Sequence, residues 1–485
     1  RAVSNYRLIL AILGILLVIV GLAMIIPAMV DLFVGHNDWQ VFLVAAAVSV
    51  FAGGGLFLSN RGGSLELGRQ QAFILTTAVW IVMPAAAALP FAFGEMNVSY
   101  TDAFFEAMSG LTTTGSTVLT GLDTAPPGIL MWRALLQWFG GIGIIVMAIA
   151  IMPLLRIGGM QLFRMETSEV TSEKALPRVA DIVKAISYIY LILSLICTMS
   201  LWMTGMSLFD ASTHAMTTIS TGGFSTSDQS AGNFESPLVE SIMVVFMIMG
   251  ALPFLMYLHV VKGKPGSFLM DSQIRWFLSI ILFGIIIMII WQILNESIPF
   301  WIALRHATFN VTSIITGTGY ATVDYSSWGG FGTAAFFFFM FIGGCAGSTT
   351  CSIKVFRIQI LVETVRCQFM QLIRPSGIFK PHYNGQILPE ETIISVTSFV
   401  FLFLAIFALL TIALGLTGLD FLTAISSAGT AITNVGPGLG ETVGPSGTFK
   451  SLSDPAKWLM SLGMLLGRLE LFTVLVLFSR RFWQR

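Results

Sequence analysis

The run Thr433-Asn434-Val435-Gly436-Pro437-Gly438 follows a short apolar segment, Phe421 to Ile432. Threonine and glycine without charge suit one kind of chemistry. Dehydrating a hard monovalent cation takes several oxygen ligands at once, each weak enough that the ion leaves again. Backbone carbonyls meet this need if successive ones turn toward one axis, which requires unusual φ/ψ that glycine adopts at little steric cost. Threonine and serine hydroxyls supply further oxygens. One such run is more commonly a turn or a small-residue helix contact, but related runs occur three more times. They are Thr112-Thr113-Thr114-Gly115-Ser116-Thr117, Ser220-Thr221-Gly222-Gly223-Phe224-Ser225-Thr226 and Thr316-Gly317-Thr318-Gly319-Tyr320-Ala321-Thr322. Aligned on Gly115, Gly223, Gly319 and Gly436, the copies lie 108, 96 and 117 residues apart. The candidate cation ligands are Thr113 to Ser116, comprising Thr113, Thr114, Gly115 and Ser116; Thr221, Gly222, Gly223 and Phe224; Gly317, Thr318, Gly319 and Tyr320; and Asn434, Val435, Gly436 and Pro437.

The elements that must position these runs are membrane helices. The chain is 55% hydrophobic and 10% charged, outside the range of soluble globular domains. Lys and Arg balance Asp and Glu at 25 each, with no basic run long enough to track a phosphate backbone, so no nucleic-acid partner is expected. Cys197, Cys345, Cys351 and Cys367 lack the CxxC spacing of a zinc site and read as free thiols. The apolar run from Leu8 to Met29 is long enough to span a ~30 Å core, without a small-residue cleavage site after it, so it is expected to stay as a helix.

Two spans open the chain, near 8 to 34 and 41 to 59. Four units then follow, each reading span, short helix, Gly run, span. Their spans lie near 71 to 93 and 129 to 152, 182 to 204 and 238 to 261, 276 to 294 and 331 to 361, and 392 to 416 and 457 to 479. A segment of 10 to 14 apolar residues is too short to cross the bilayer and reads as a re-entrant helix surrounded by protein or a water-filled cavity. Asp102, Asp210 and Asp420 stand near the starts of three of these segments, where a side-chain oxygen caps free N–H groups. The helices then aim their negative dipole ends at the Gly runs, which favours a cation there. The organisation is an all-α membrane protein with four tandem span, pore helix, filter and span repeats around one pseudo-four-fold pore, plus two extra N-terminal helices. Its parts are 1–60, 61–165, 166–265, 266–385 and 386–485.

With the N-terminus inside, 20 of 25 Lys and Arg fall on the inner side. Arg133, Arg305, Lys450 and Lys457 fall outside and Arg468 within a span. Asp38, Glu95, Asp123, Asp228, Glu235, Glu296, Asp324 and Glu441 map to the outer, filter side. Three of them, Asp228, Asp324 and Glu441, stand five residues after a filter glycine and read as a cation-collecting funnel.

The fourfold arrangement with the filters TTTGST, STGGFST, TGTGYAT and TNVGPGLG resembles the Trk/Ktr/HKT superfamily of potassium transporters. The two extra N-terminal spans are most similar to its bacterial TrkH-type subunits. The resemblance covers essentially the whole chain. It implies a single-chain pseudo-tetrameric K⁺ pore in the bacterial inner membrane, both termini cytoplasmic, a homodimer, and control by a cytosolic nucleotide-binding ring of the TrkA type. K⁺ would be the one ligand of this chain, with nucleotide on the partner. Gly343-Gly344-Cys345-Ala346-Gly347-Ser348-Thr349-Thr350 interrupts the second span of the third repeat and resembles the family's intramembrane gating loop; close helix packing through small residues is the other reading. Arg468 lies near the centre of the last span, where burial is costly. The family carries an Arg beneath the filter on this helix, and a structural ion pair is the alternative. Glu470, two residues on, would point elsewhere on a continuous helix.

His36, His214, His259, His306 and His382 share no ligand spacing, and Phe336 to Phe339 read as packing or lipid-facing surface. No nucleophile triad, Walker loop or paired catalytic carboxylates occur, so no enzyme is expected. The competing reading is an ion-coupled secondary transporter of a small solute or Na⁺, which would favour two-fold inverted repeats and acids buried midway in its spans.

Overall fold

A computed structural model describes residues 2–62, 68–150, 175–263 and 265–483. The inner basic stretch Arg156 to Lys174 lies outside them. Helices dominate because hydrocarbon offers the backbone no other hydrogen-bond partners. α1 (Ala2–Ala23) and α2 (Ile25–Val34) make one span, which Gly35 at φ +83° ends before α3 (Trp39–Asn60) returns. Glycines let α1 and α3 touch: a Cβ on Gly14 would lie 2.5 Å from Gly53 O, and one on Gly53 2.5 Å from Gly14 O.

The first repeat is α4 (Arg69–Ala87), α5 (Leu89–Phe93), the half-length α6 (Tyr100–Leu111) and α7 (Pro127–Ala150). The second is α8 (Ala175–Trp202), α9 (Leu208–Ile219), α10 (Pro237–Ala251) and α11 (Phe254–Val261). The third is α12 (Ser272–Asn295), α13 (Phe300–Ile315), α14 (Gly329–Phe339) and α15 (Val355–Ile373). A two-stranded hairpin, His382–Tyr383 with Gln386–Ile387, leads to α16 (Glu390–Leu416), α17 (Phe421–Thr433), α18 (Asp454–Arg468) and α19 (Phe472–Leu475).

Each half-helix is wedged between the spans of its own repeat and also meets the closing span of the repeat before it. α7 packs on α9, α10 on α13, and α18 back on α6. The fourth such contact brings Met340 Sδ and Phe337 to Gly429 of α17. The four repeats therefore close into one ring. The fold is the all-α, four-repeat architecture expected from the sequence, with two added N-terminal helices.

Two local expectations need correction. Ser99 and Ser207, not Asp102 and Asp210, cap α6 and α9: their hydroxyls accept the N–H groups of Asp102 and Asp210. Asp420 does cap α17, accepting from Thr423 N–H, while α13 follows Pro299 with no side-chain cap. Two spans expected to be continuous are bent. The 238–261 span bends by 95° between α10 and α11, at Leu252-Pro253, where proline lacks an N–H and clashes with the preceding turn. The 457–479 span bends by 107° after Arg468, where Glu470 and Leu471 both take φ +55°. The 331–361 span is interrupted where the sequence put the break: α14 and α15 flank an irregular stretch closed by Gly343 N–H on Ile353 O (2.9 Å). Among the described residues, seven uninterrupted helices have the length and apolarity to cross a membrane.

Candidate ion-conduction site

The half-helices end identically. Two residues before each filter glycine, the backbone turns left-handed: Thr113 (φ +50°), Thr221 (+50°), Gly317 (+73°) and Asn434 (+55°). The next N–H reaches back five residues, Thr114 to Ser109 O, Gly222 to Thr217 O, Thr318 to Ser313 O and Val435 to Thr430 O. This is a Schellman termination with a left-handed residue just past the helix. Only one repeat uses glycine there, so three repeats hold a non-glycine residue in a sparsely populated conformation.

One residue later the filter glycines are left-handed again, at φ +88°, +79°, +86° and +118° for Gly115, Gly223, Gly319 and Gly436. Between the two lies a residue whose carbonyl faces the neighbouring repeat's glycine. A Cβ added to Gly115 would sit 2.3 Å from Gly222 O, one on Gly223 1.9 Å from Thr318 O, one on Gly319 1.9 Å from Val435 O, and one on Gly436 2.9 Å from Thr114 O. The cyclic order places the carbonyls of Thr114, Gly222, Thr318 and Val435 in one ring. All four glycines also line a single cavity of about 70 Å³ outside that ring. Four carbonyl dipoles meeting in one place can replace part of a cation's hydration shell.

The residues after the glycines do not turn their side chains to the axis. Tyr320 is buried, with its hydroxyl against Thr217, Thr218 and His214 O of α9, and its carbonyl accepts from Ser313 Oγ. Phe224 lies beneath the Arg133 guanidinium, 4.0 Å from ring centroid to Cζ. Ser116 Oγ donates to Gly436 O at 2.6 Å, joining filters one and four.

A set of clamps behind the filter escaped the sequence reading. Nine residues before three of the glycines stand Glu106, His214 and Asn310, while Ser427 at the fourth makes no side-chain hydrogen bond. Glu106 accepts from Val118 N–H (3.0 Å) and Thr117 Oγ1 (2.9 Å). His214 Nδ1 faces Asp210 O and must donate there, leaving Nε2 to accept from Ser225 Oγ at 3.0 Å. Asn310 Oδ1 accepts Thr322 N–H and its Nδ2 donates to Thr322 Oγ1. Arg133, counted above on the outer side, is buried on α7, its Nε 2.8 Å from Glu106 Oε1 and its Nη1 2.6 Å from Ser225 O. A polar residue at a fixed offset in every half-helix was the available signal.

Residues 38–485 match the family of cation transport proteins designated TrkH. The Trk system potassium uptake protein TrkI of Halomonas elongata is 42% identical over 478 residues, 98% of this chain and 97% of the relative. Trk system potassium uptake protein TrkH of Escherichia coli K12 is 36% identical over 487 residues, covering 99% and 100%. The crystal structure of the potassium transporter TrkH from Vibrio parahaemolyticus superposes with a TM-score of 0.91 at 36% identity, over 99% of this chain and 100% of that one. The chain belongs to the TrkH family.

In this TrkH-family chain, on the side of the carbonyl ring away from the shared cavity, the irregular stretch from Gly343 to Thr350 docks on the carbonyls that the α10/α11 bend frees. Cys345 N–H donates to Ala251 O (3.0 Å), Thr349 N–H and Oγ1 to Gly250 O, and Phe254 N–H returns to Gly347 O. Ala346 N–H donates to the side chain of Gln273, and the Ser348 and Thr350 hydroxyls join at 2.7 Å. Gly344 leaves no room for a Cβ, which would lie 2.8 Å from Ala251 O. Thr349 Oγ1 also lies 2.9 Å from Thr221 Oγ1, at the foot of the second filter. Arg468 is buried: Nη1 donates to Thr349 O (3.0 Å) and Cys351 Sγ (2.8 Å), and Nη2 to Gly140 O (3.0 Å). No carboxylate pairs with it among the described residues. Glu470, beyond the helix end, does not project from a continuing helix. Its carboxylate sits between Arg357 and Lys354 Nζ (3.3 Å), tying the α18/α19 bend to the start of α15.

The acids that the sequence assigned to the outer side divide. Asp228 accepts the N–H groups of Gly121 and Leu122, and Asp324 caps the turn at Tyr325–Ser327, so both serve backbone as well as presenting charge. Glu441 is exposed. His36, Asp38 and Glu95 come within 4.8 Å of one another, a grouping the sequence spacing did not reveal. They already satisfy each other: Asp38 accepts Glu95 N–H, His36 Nδ1 accepts Asp38 N–H, and Nε2 faces Glu95 Oε2 at 2.7 Å. Phe336 stacks on Tyr325 while Phe338 is exposed, so that run does both kinds of packing.

The buried Arg133–Glu106 pair yields a direct test. Arg133→Met leaves a carboxylate buried without its cation, which is expected to cost about 3–5 kcal/mol of stability. Thermal unfolding of the detergent-solubilised protein measures it. A melting temperature equal to wild type would show that the filter does not lean on this pair.

Proposed function

We propose that this chain is the translocating pore for K⁺ uptake across the bacterial inner membrane. The reading is carried by the ring of four carbonyls from equivalent positions of four repeats, and the relatives, which are potassium uptake proteins, support it. Thr113 to Ser116, Thr221 to Phe224, Gly317 to Tyr320 and Asn434 to Pro437 form the filter, with Thr114, Gly222, Thr318 and Val435 presenting the ring carbonyls. The Lys and Arg distribution supports cytoplasmic N- and C-termini. K⁺ enters from the outer side, exchanges water for carbonyls, and meets the stretch from Gly343 to Thr350 and the Arg468 guanidinium before the inner side.

That inner assembly is the gate in this reading. Its conformation rests on a few hydrogen bonds to carbonyls freed by helix bends, a set that a cytosolic nucleotide-binding ring of the TrkA type can exchange. The chain acts as a homodimer, and nucleotide binds the partner. Two like charges ~4 Å apart repel by ~4 kcal/mol at an effective dielectric of ~20, so Arg468 adds a barrier to any cation passing it.

Two outcomes follow in proteoliposomes of purified protein. Wild type is expected to carry ⁸⁶Rb⁺ in preference to ²²Na⁺, and Gly319→Ala to lose that preference, because its Cβ meets both a left-handed φ and the Val435 carbonyl. Gly330→Ala, in open space at an ordinary φ, is the control. Equal Rb⁺/Na⁺ ratios in wild type and Gly319→Ala would sink the filter. Arg468→Ala is expected to raise Rb⁺ flux about tenfold, the effect of a third of the estimated barrier. A lower melting temperature without a gain in flux would reduce Arg468 to a brace.

A further inference from the structure

Gly222 is the odd member of its ring. The equivalent residues are Thr114, Thr318 and Val435, so no side chain is forbidden there by the repeat. Its φ is not in the left-handed range either, unlike that of Gly223 beside it. What excludes a side chain is Gln137 of α7, whose Cδ and Oε1 would each lie 2.3 Å from a Cβ on Gly222. The amide spans the filter glycine: Nε2 donates to Gly222 O at 2.7 Å and Oε1 accepts from Phe224 N–H at 3.0 Å. One turn away on the same face, Arg133 holds Ser225 O. The second filter strand is thus gripped at three of four successive peptides by a span belonging to the first repeat. Among the described residues no other filter glycine has an amide bridging the residues on either side of it.

The bonded carbonyl is a ring member. An oxygen already held by a side-chain N–H resists being drawn inward, and a ring that resists contraction fits a larger ion better than a smaller one. We propose that Gln137 is a positioning residue that fixes the Gly222 carbonyl and thereby sets the discrimination between K⁺ and Na⁺. Gly222 is small so that this amide can reach the ring. The proposal rests on the K⁺-pore reading above and assigns its selectivity in part to a side chain outside the filter runs.

Two variants test it. Gln137→Glu keeps the length and an acceptor for Phe224 N–H but loses the donor to Gly222 O, whereas Gln137→Met keeps the volume and loses both bonds. In proteoliposomes each is expected to lower the ⁸⁶Rb⁺/²²Na⁺ flux ratio about fivefold, the equilibrium worth of one hydrogen bond. A brace with no part in selectivity would lower the melting temperature and leave the ratio alone. An unchanged ratio in either folded variant overturns the proposal. Should neither fold, Gly222→Ala displaces the same amide from the opposite side, and an unchanged ratio there overturns it equally. Wild-type protein with no preference for Rb⁺ would instead overturn the K⁺-pore reading itself, which separates the two failures.

Discussion

A run of carbonyl oxygens can face one axis only if the backbone alternates between right- and left-handed residues. Everything else in this molecule answers to that constraint. The left-handed residue at the end of each half-helix is supplied by Thr113, Thr221, Gly317 and Asn434, and the second by a filter glycine two positions later. The carbonyl between them then meets the preceding repeat's glycine so closely that no Cβ fits. Strain of this kind, of order 1–3 kcal/mol per left-handed non-glycine residue, persists only where the surroundings over-determine it. Here the surroundings are the clamps at Glu106, His214 and Asn310 and the grip of Arg133 and Gln137 from α7.

The same constraint governs the side of the ring away from the cavity. Bending a span inside hydrocarbon frees carbonyls that must find donors. The α10/α11 bend gives Gly250 O and Ala251 O to the stretch from Gly343 to Thr350, and Arg468 collects Thr349 O and Gly140 O where α18 ends. Three closing spans that do not run straight therefore share one polar assembly directly beneath the ring. Its bonds join elements from all four repeats, so a displacement of any one closing span is felt at the foot of the second filter, through the Thr221 and Thr349 hydroxyls.

The fourfold plan was legible because half-length apolar segments and Gly-containing runs recur, and neither depends on tertiary detail. Gly115, Gly223, Gly319 and Gly436 could be aligned because φ and Cβ clearance leave no alternative residue. The irregular stretch at Gly343 and the cost of burying Arg468 were legible for similar reasons. The left-handed threonines were not, since threonine carries no signal for that conformation. Gln137 and Arg133 looked like ordinary polar residues because their partners are about 90 residues away in sequence. The bends at Leu252-Pro253 and after Arg468 were hidden inside continuous apolar runs, where hydropathy does not report on backbone direction.

The most direct test of the carbonyl ring is where a heavy K⁺ substitute binds. Crystals of the protein grown with Tl⁺ in place of K⁺ are expected to show an anomalous peak on the pore axis, surrounded by the carbonyl oxygens of Thr114, Gly222, Thr318 and Val435. Tl⁺ bound only elsewhere, with no peak within the ring, would contradict the account.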